Sequence, residues 1–114
     1  MLVVEDNEDI RFLLNVLSDL HPDIDVSSEA TNAEDGLRMW REQRPDLVLL
    51  DYRLPGRDGL ELAAEILAEK PDQRIVLFSA YLDDRTVARA EAMGISECIS
   101  KDQIGRLLEL IRTK

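Results

Sequence analysis

Cysteine and histidine are scarce in this chain and cationic residues are outnumbered by acidic ones, and each feature removes a class of function. A single cysteine, Cys98, in 114 residues excludes an internal disulfide. It also fits a reducing compartment. Lys and Arg number 14 against 24 Asp and Glu, a formal charge of -10. A surface so acidic repels nucleic-acid phosphates and anionic lipid, so no direct nucleic-acid binding and no membrane association is expected of this domain. No apolar run is long enough to span a bilayer, and no basic segment precedes the opening "MLVV", so no signal peptide is expected. The lone histidine, His21, stands beside Pro22 in an expected loop, away from the acidic positions discussed below. Hydrophobic residues still make up 45% of the chain, ordinary for a globular protein. What remains is one small acidic domain over residues 1–114, soluble and cytoplasmic, with no linker and no second domain expected.

Two residue patterns alternate along this domain. Short β-rich runs are "MLVVE", "IDVSS", "DLVLLD", "RIVLFS" and "ECIS". Between them, apolar residues recur at helical spacing. Ile10, Leu13, Leu14 and Leu17 predict a first helix with Asn7 as its N-cap, and "TNAE" at 31–34 has the form of a capping box for a second containing Leu37 and Trp40. Trp40 is expected to pack partly against the sheet. Leu62, Ala63, Ile66 and Leu67 mark a third helix that must stop before Pro71. Val87, Ala90 and Met93 mark a fourth, opened by Asp83 and Asp84 and closed by Gly94. Ile104, Leu107, Leu108 and Ile111 mark a fifth. Strands that alternate with helices pair in parallel, because each crossover carries a helix. The uninterrupted apolar run "LVLL" suits a central strand covered on both faces.

In an open parallel sheet, ligands bind beyond the carboxyl ends of the strands, at the point where strand order reverses. Those ends carry Glu5 and Asp6, Asp51, Ser79 and, near the fifth, Lys101. If the strand order is 2-1-3-4-5, the reversal falls between strands one and three, and Glu5, Asp6 and Asp51 would flank one crevice. Two carboxylates about 4 Å apart repel by about 4 kcal/mol at an effective dielectric near 20, so three need compensation. Lys101 supplies one positive charge and a divalent cation would supply two more. An all-oxygen set without His or Cys favours Mg2+ over zinc. A carboxylate beside such an ion and a lysine is a competent nucleophile toward phosphorus. Asp51, at the end of the most apolar strand and ahead of the turn residues Pro55, Gly56 and Gly59, is the nucleophile candidate, with Glu5 and Asp6 better placed to hold metal.

Taken together, "VVEDN", "LLDYRLPGRDG", "LFSA" and "GISECISK" resemble, in order and spacing, the receiver domain of two-component response regulators, over essentially the whole chain. The resemblance implies a flavodoxin-like, doubly wound α/β fold, a five-stranded parallel sheet of order 2-1-3-4-5 with five helices. It implies that Asp51 accepts a phosphoryl group from a histidine kinase or a histidine phosphotransfer protein. Glu5, Asp6, Asp51 and the backbone carbonyl of Arg53 would hold Mg2+, and Ser79 and Lys101 would contact the phosphoryl group. The domain would phosphorylate and dephosphorylate itself rather than turn over a metabolite. Phosphorylation would alter the face of helix four, strand five and helix five toward an output protein or effector domain, and a homodimer on the helix four–helix five face is compatible with this. The family's usual aromatic three residues before the lysine is Cys98 here, a small, half-buried side chain that cannot swing a ring behind Ser79. Output is therefore expected to run through the loop around Tyr81. Asp102 stands where the family often has proline. Arg53 and Tyr81, two residues beyond Asp51 and Ser79, are expected to shield the phosphoryl group from water.

Two other classes stay open at this level. A metal-dependent aspartate-nucleophile phosphohydrolase would need a second Asp two residues after the nucleophile, where Arg53 stands. A receiver-like interaction module that no longer uses phosphate would not need the full set of acids, hydroxyl and lysine.

Overall fold

The computed structural model describes residues 1–80 and 82–112, so the expectation placed on Tyr81 lies outside the described residues. In chain order the elements are β1 (Leu2–Val4), α1 (Glu8–Leu20), β2 (Ser28–Ala30), α2 (Ala33–Gln43), β3 (Leu47–Leu50), β4 (Arg53–Leu54), β5 (Arg57–Asp58), α3 (Gly59–Glu69), β6 (Arg74–Ser79), α4 (Asp84–Met93), β7 (Glu97–Ser100) and α5 (Ile104–Arg112). Five of the strands form one parallel sheet, in the order β2-β1-β3-β6-β7. Counting only these, the order is the expected 2-1-3-4-5.

Alternation along the strands divides the core into two layers. Leu2, Val4, Val48, Leu50, Ile75 and Leu77 point to the side covered by α2, α3 and α4. Val3, Leu47, Leu49, Val76 and Phe78 point to the side covered by α1 and α5. Because both faces are covered, β3 is buried at all four positions. Gly36 lets α2 lie close on β1: a Cβ there would stand 3.1 Å from Val4.

Several details depart from expectation. The second strand is Ser28–Ala30 rather than the "IDVSS" run. Ile24 and Val26 join the α1–α5 layer, and the parallel ladder to β1 begins only at Ser28, paired with Leu2. Register against β1, not intrinsic β-preference, places that edge strand. The N-cap of α2 is Asn32, one residue past the start of the expected capping box, with its side chain accepting from the Asp35 N–H. Trp40 is fully buried rather than partly so, because its indole N–H donates to Gln73 Oε1 at 3.0 Å and the Arg44 guanidinium lies over its ring at 4.1 Å. Finally, the loop after β3 contains a hairpin, β4 with β5, turned by Pro55 and Gly56, whose φ of 75° suits glycine.

On α1 the expected stripe is only partly inward. Leu14 is buried, whereas Phe12 and Leu20 are 64% and 68% exposed, and Leu13 and Val16 also face solvent. Among the described residues, no helix is long and apolar enough to cross a membrane.

Candidate functional site

Each expected site residue sits at the carboxyl end of a strand or just beyond, and the parallel sheet brings those ends to one edge. β1 delivers Glu5, which is buried, and Asp6, which is exposed. Asn7 then caps α1, its side chain accepting from the N–H groups of Asp9 and Ile10. Its own backbone N–H donates to Glu5 Oε2 at 3.1 Å. β3 delivers Asp51, 6% exposed, whose N–H continues the ladder to the Val4 carbonyl at 3.0 Å. The Arg53 N–H reaches Asp51 Oδ1 at 3.4 Å. β6 delivers the buried Ser79. Directly after β7, the Lys101 N–H donates to the Ser79 carbonyl at 3.0 Å.

The side chains converge. Lys101 Nζ lies 2.8 Å from Glu5 Oε1 and 3.3 Å from Asp51 Oδ2. One carboxylate oxygen from each of Glu5, Asp6 and Asp51 falls within 4.8 Å of the others. A cleft of about 320 Å³ opens onto Asp6, Asp51, Arg53, Ser79 and Lys101. The geometry thus brings together all six residues singled out in the sequence, with Glu5 forming the buried back of the site.

Charge in this group is unbalanced: three carboxylates face one ammonium. Burial raises the pKa of Glu5 to about 7, against the lowering effect of its bond to Lys101, with the nearby charge of Asp51 raising it further. Burial opposes the charge on Lys101, but its bond to Glu5 and the charge of Asp51 outweigh that, and its pKa is raised. An acidic pocket open to a cleft and lined by hard oxygen donors fits a divalent cation.

Three structural supports were not legible beforehand. Gly59, the first residue of α3, packs so closely that a Cβ would stand 2.1 Å from the Asp51 carbonyl oxygen. Asn7 was legible as a helix cap but not as a backbone donor to Glu5. Arg11 Nη1 donates to the Glu5 carbonyl at 2.8 Å. For Gly59, the only sequence signal was a glycine closing the turn behind an acid.

Cys98 is half-buried in β7 beside Leu77 and packs on the α2–α4 layer. Burial pushes its thiol pKa up, and Glu91 and Glu97 push it further, so the thiolate is disfavoured. With Val87, Glu91 and Arg106 it lines a cleft of about 510 Å³ between α4, β7 and α5.

Comparison with known proteins places these features in a lineage. Residues 1–112 match the response regulator receiver domain family. The transcriptional regulatory protein LiaR of Bacillus subtilis is 30% identical over 113 residues, 98% of this chain and 54% of the relative. The DNA-binding transcriptional activator DevR/DosR of Mycobacterium tuberculosis is 33% identical over 112 residues, 98% of this chain and 51% of its own. The chain thus spans about half the length of these curated relatives. Among solved structures, the signal receiver domain of the putative response regulator NarL from Mycobacterium tuberculosis superposes with a TM-score of 0.86 at 26% identity, covering 99% of this chain and 95% of that one. The response regulator domain of Thermotoga maritima CheB gives 0.88 at 25% identity, covering 97% and 91%.

Proposed function

This chain belongs to the response regulator receiver domain family, and on that premise we propose that residues 1–114 form a Mg2+-dependent receiver that takes a phosphoryl group onto Asp51 from a phosphohistidine donor. The observation that carries this reading is Lys101 held between Glu5 and Asp51 at the rim of an acidic cleft. An Asp51 oxygen attacks phosphorus, the N–P bond to the donor imidazole breaks, and an acyl phosphate forms as the imidazole departs. Lys101 follows the charge onto the phosphoryl oxygens, and Ser79 donates its hydroxyl to them. Glu5, Asp6, Asp51 and the Arg53 carbonyl would hold Mg2+, which would offset the charge of the transferring group. The exposed Arg53 side chain shields the product from water. Arg53 two residues after Asp51, where a hydrolase would need a general acid, speaks against a phosphohydrolase. Incubation with acetyl phosphate and Mg2+ is expected to add one phosphoryl mass to the wild-type chain and none to Asp51→Asn; a wild-type chain that stays unmodified would sink the reading.

The donor is a histidine kinase or histidine phosphotransfer protein, and the output partner, or a second copy, binds the α4–β7–α5 face in a phosphorylation-dependent way. The outward stripe of α1 is a suitable docking face for the donor, since its N-cap Asn7 lies on the cleft rim and the helix exposes Phe12, Leu13, Val16 and Leu20. Replacing both Phe12 and Leu20 with serine is expected to slow transfer from the phosphorylated donor by roughly tenfold or more while leaving acetyl-phosphate uptake unchanged. Equal slowing with both donors would place the effect in the cleft rather than on α1.

A further inference from the structure

Arg11 stands on the first turns of α1 and ties three elements together. Its Nη1 donates to the backbone carbonyl of Glu5 at 2.8 Å, and its Nε lies 3.8 Å from Glu29 Oε2. Glu29 belongs to β2, in register with Val3 of β1, and also accepts from the Asn15 side chain on α1. Asn15 in turn donates to the Arg11 carbonyl at 2.9 Å. The Arg11 side chain is only 19% exposed, so this bond is sheltered from competing water.

The consequence lies in what the Glu5 carbonyl leads to. β1 ends at Val4, so the Glu5 carbonyl is already in the loop, and the peptide it belongs to carries Asp6 on its other side. The Glu5 N–H is held by the Ala30 carbonyl at 2.9 Å, which fixes the near side of the residue. Arg11 fixes the far side. The dihedral angles that aim the Glu5 and Asp6 carboxylates are therefore clamped between β2 and α1. We infer that Arg11 is a positioning residue, which sets the aim of the Glu5–Asp6 pair toward a divalent cation through the Glu5 carbonyl. This role rests on the proposed metal site, and it acts on geometry: Arg11 meets the backbone rather than either carboxylate of the pair.

The test is calorimetric titration of the unphosphorylated chain with Mg2+, paired with thermal melting. Arg11→Met keeps most of the aliphatic stem and removes the donors, and it is expected to weaken Mg2+ binding about tenfold or more, as loss of an outer-sphere partner does. Arg11→Lys keeps one charged donor and is expected to recover part of that affinity. If Arg11→Met does not fold, the lysine variant carries the test alone, with an affinity below wild type expected. A lower melting temperature with wild-type Mg2+ affinity would mark a purely structural tie and overturn the role. So would full affinity in Arg11→Lys combined with full affinity in Arg11→Met. A wild-type chain that binds no Mg2+ would overturn the metal site first and this role with it, so the two failures are distinguishable.

Discussion

Replacing Lys101 with methionine is expected to cost about 3–5 kcal/mol of folding stability at pH 8 in the absence of divalent cations. Lys101 is the shared partner of two buried carboxylates, Glu5 and Asp51, and its loss leaves both without the ammonium that now lies within 3.3 Å. The penalty must depend on pH, and its sign follows from Glu5. Its folded pKa of about 7 lies above the ordinary 4.5, so between those values the folded chain binds more protons than the unfolded one. Stability contributed by protonated Glu5 is present in acid and is lost as pH rises through 7. Without Lys101 the Glu5 carboxylate is held protonated to higher pH, and the loss of stability extends over a wider pH range. Urea denaturation at pH 5 and pH 8 checks this: the variant's deficit is expected to shrink at pH 5 and to be partly restored at pH 8 by Mg2+. A deficit of the same size at both pH values would show that the loss is one of packing.

Gly59→Ala is expected to be the most damaging small substitution in the chain. The new Cβ would stand 2.1 Å from the Asp51 carbonyl oxygen, 3.0 Å from its carbonyl carbon and 3.2 Å from Tyr52 Cα. All three are backbone atoms, which cannot rotate aside as a side chain can. Either the loop behind β3 or the start of α3 has to move, at a cost at or above the upper end of about 1–3 kcal/mol for overpacking. Because the displaced atoms belong to Asp51 itself, acetyl-phosphate uptake is also expected to fall, by roughly a hundredfold for a shift of about 1 Å. Gly105→Ala is the internal control. Gly105 lies in α5 with nothing within 4 Å of its Cβ position, so the same change there is expected to stabilise by about 0.5–1 kcal/mol. Thermal melting of the two variants beside wild type separates the cases. Similar melting temperatures for both would refute the close-approach argument.

These two glycines also mark where the sequence stops being informative. In the sequence each is simply a glycine; only the neighbours decide that one is crowded and the other is bare. The same division runs through the site. Glu5, Asp6, Asp51, Ser79 and Lys101 were legible because strand ends in a parallel sheet are forced to one edge, whatever the side chains that cover the faces. The alternation of apolar runs with helical stripes gave the parallel pairing, whereas the strand order was an expectation from the resemblance to receiver domains. By contrast, β2 began later than its β-rich run because an edge strand takes its register from the strand it meets. Part of the α1 stripe turned outward because periodicity locates a face without saying whether anything packs on it.

The sequence by itself therefore determined the α/β class, the parallel sheet and the identity of the acids, hydroxyl and lysine, all of which follow from local pattern and from the geometry of crossover connections. Only the tertiary structure decided that one ammonium serves two buried carboxylates, that Glu5 titrates near neutrality, that Gly59 touches the backbone of Asp51 and that Arg11 holds the carbonyl of Glu5. Each of those depends on distances of a few ångströms between residues far apart in the chain, or on how deeply a group is desolvated, and neither quantity is written in local residue order.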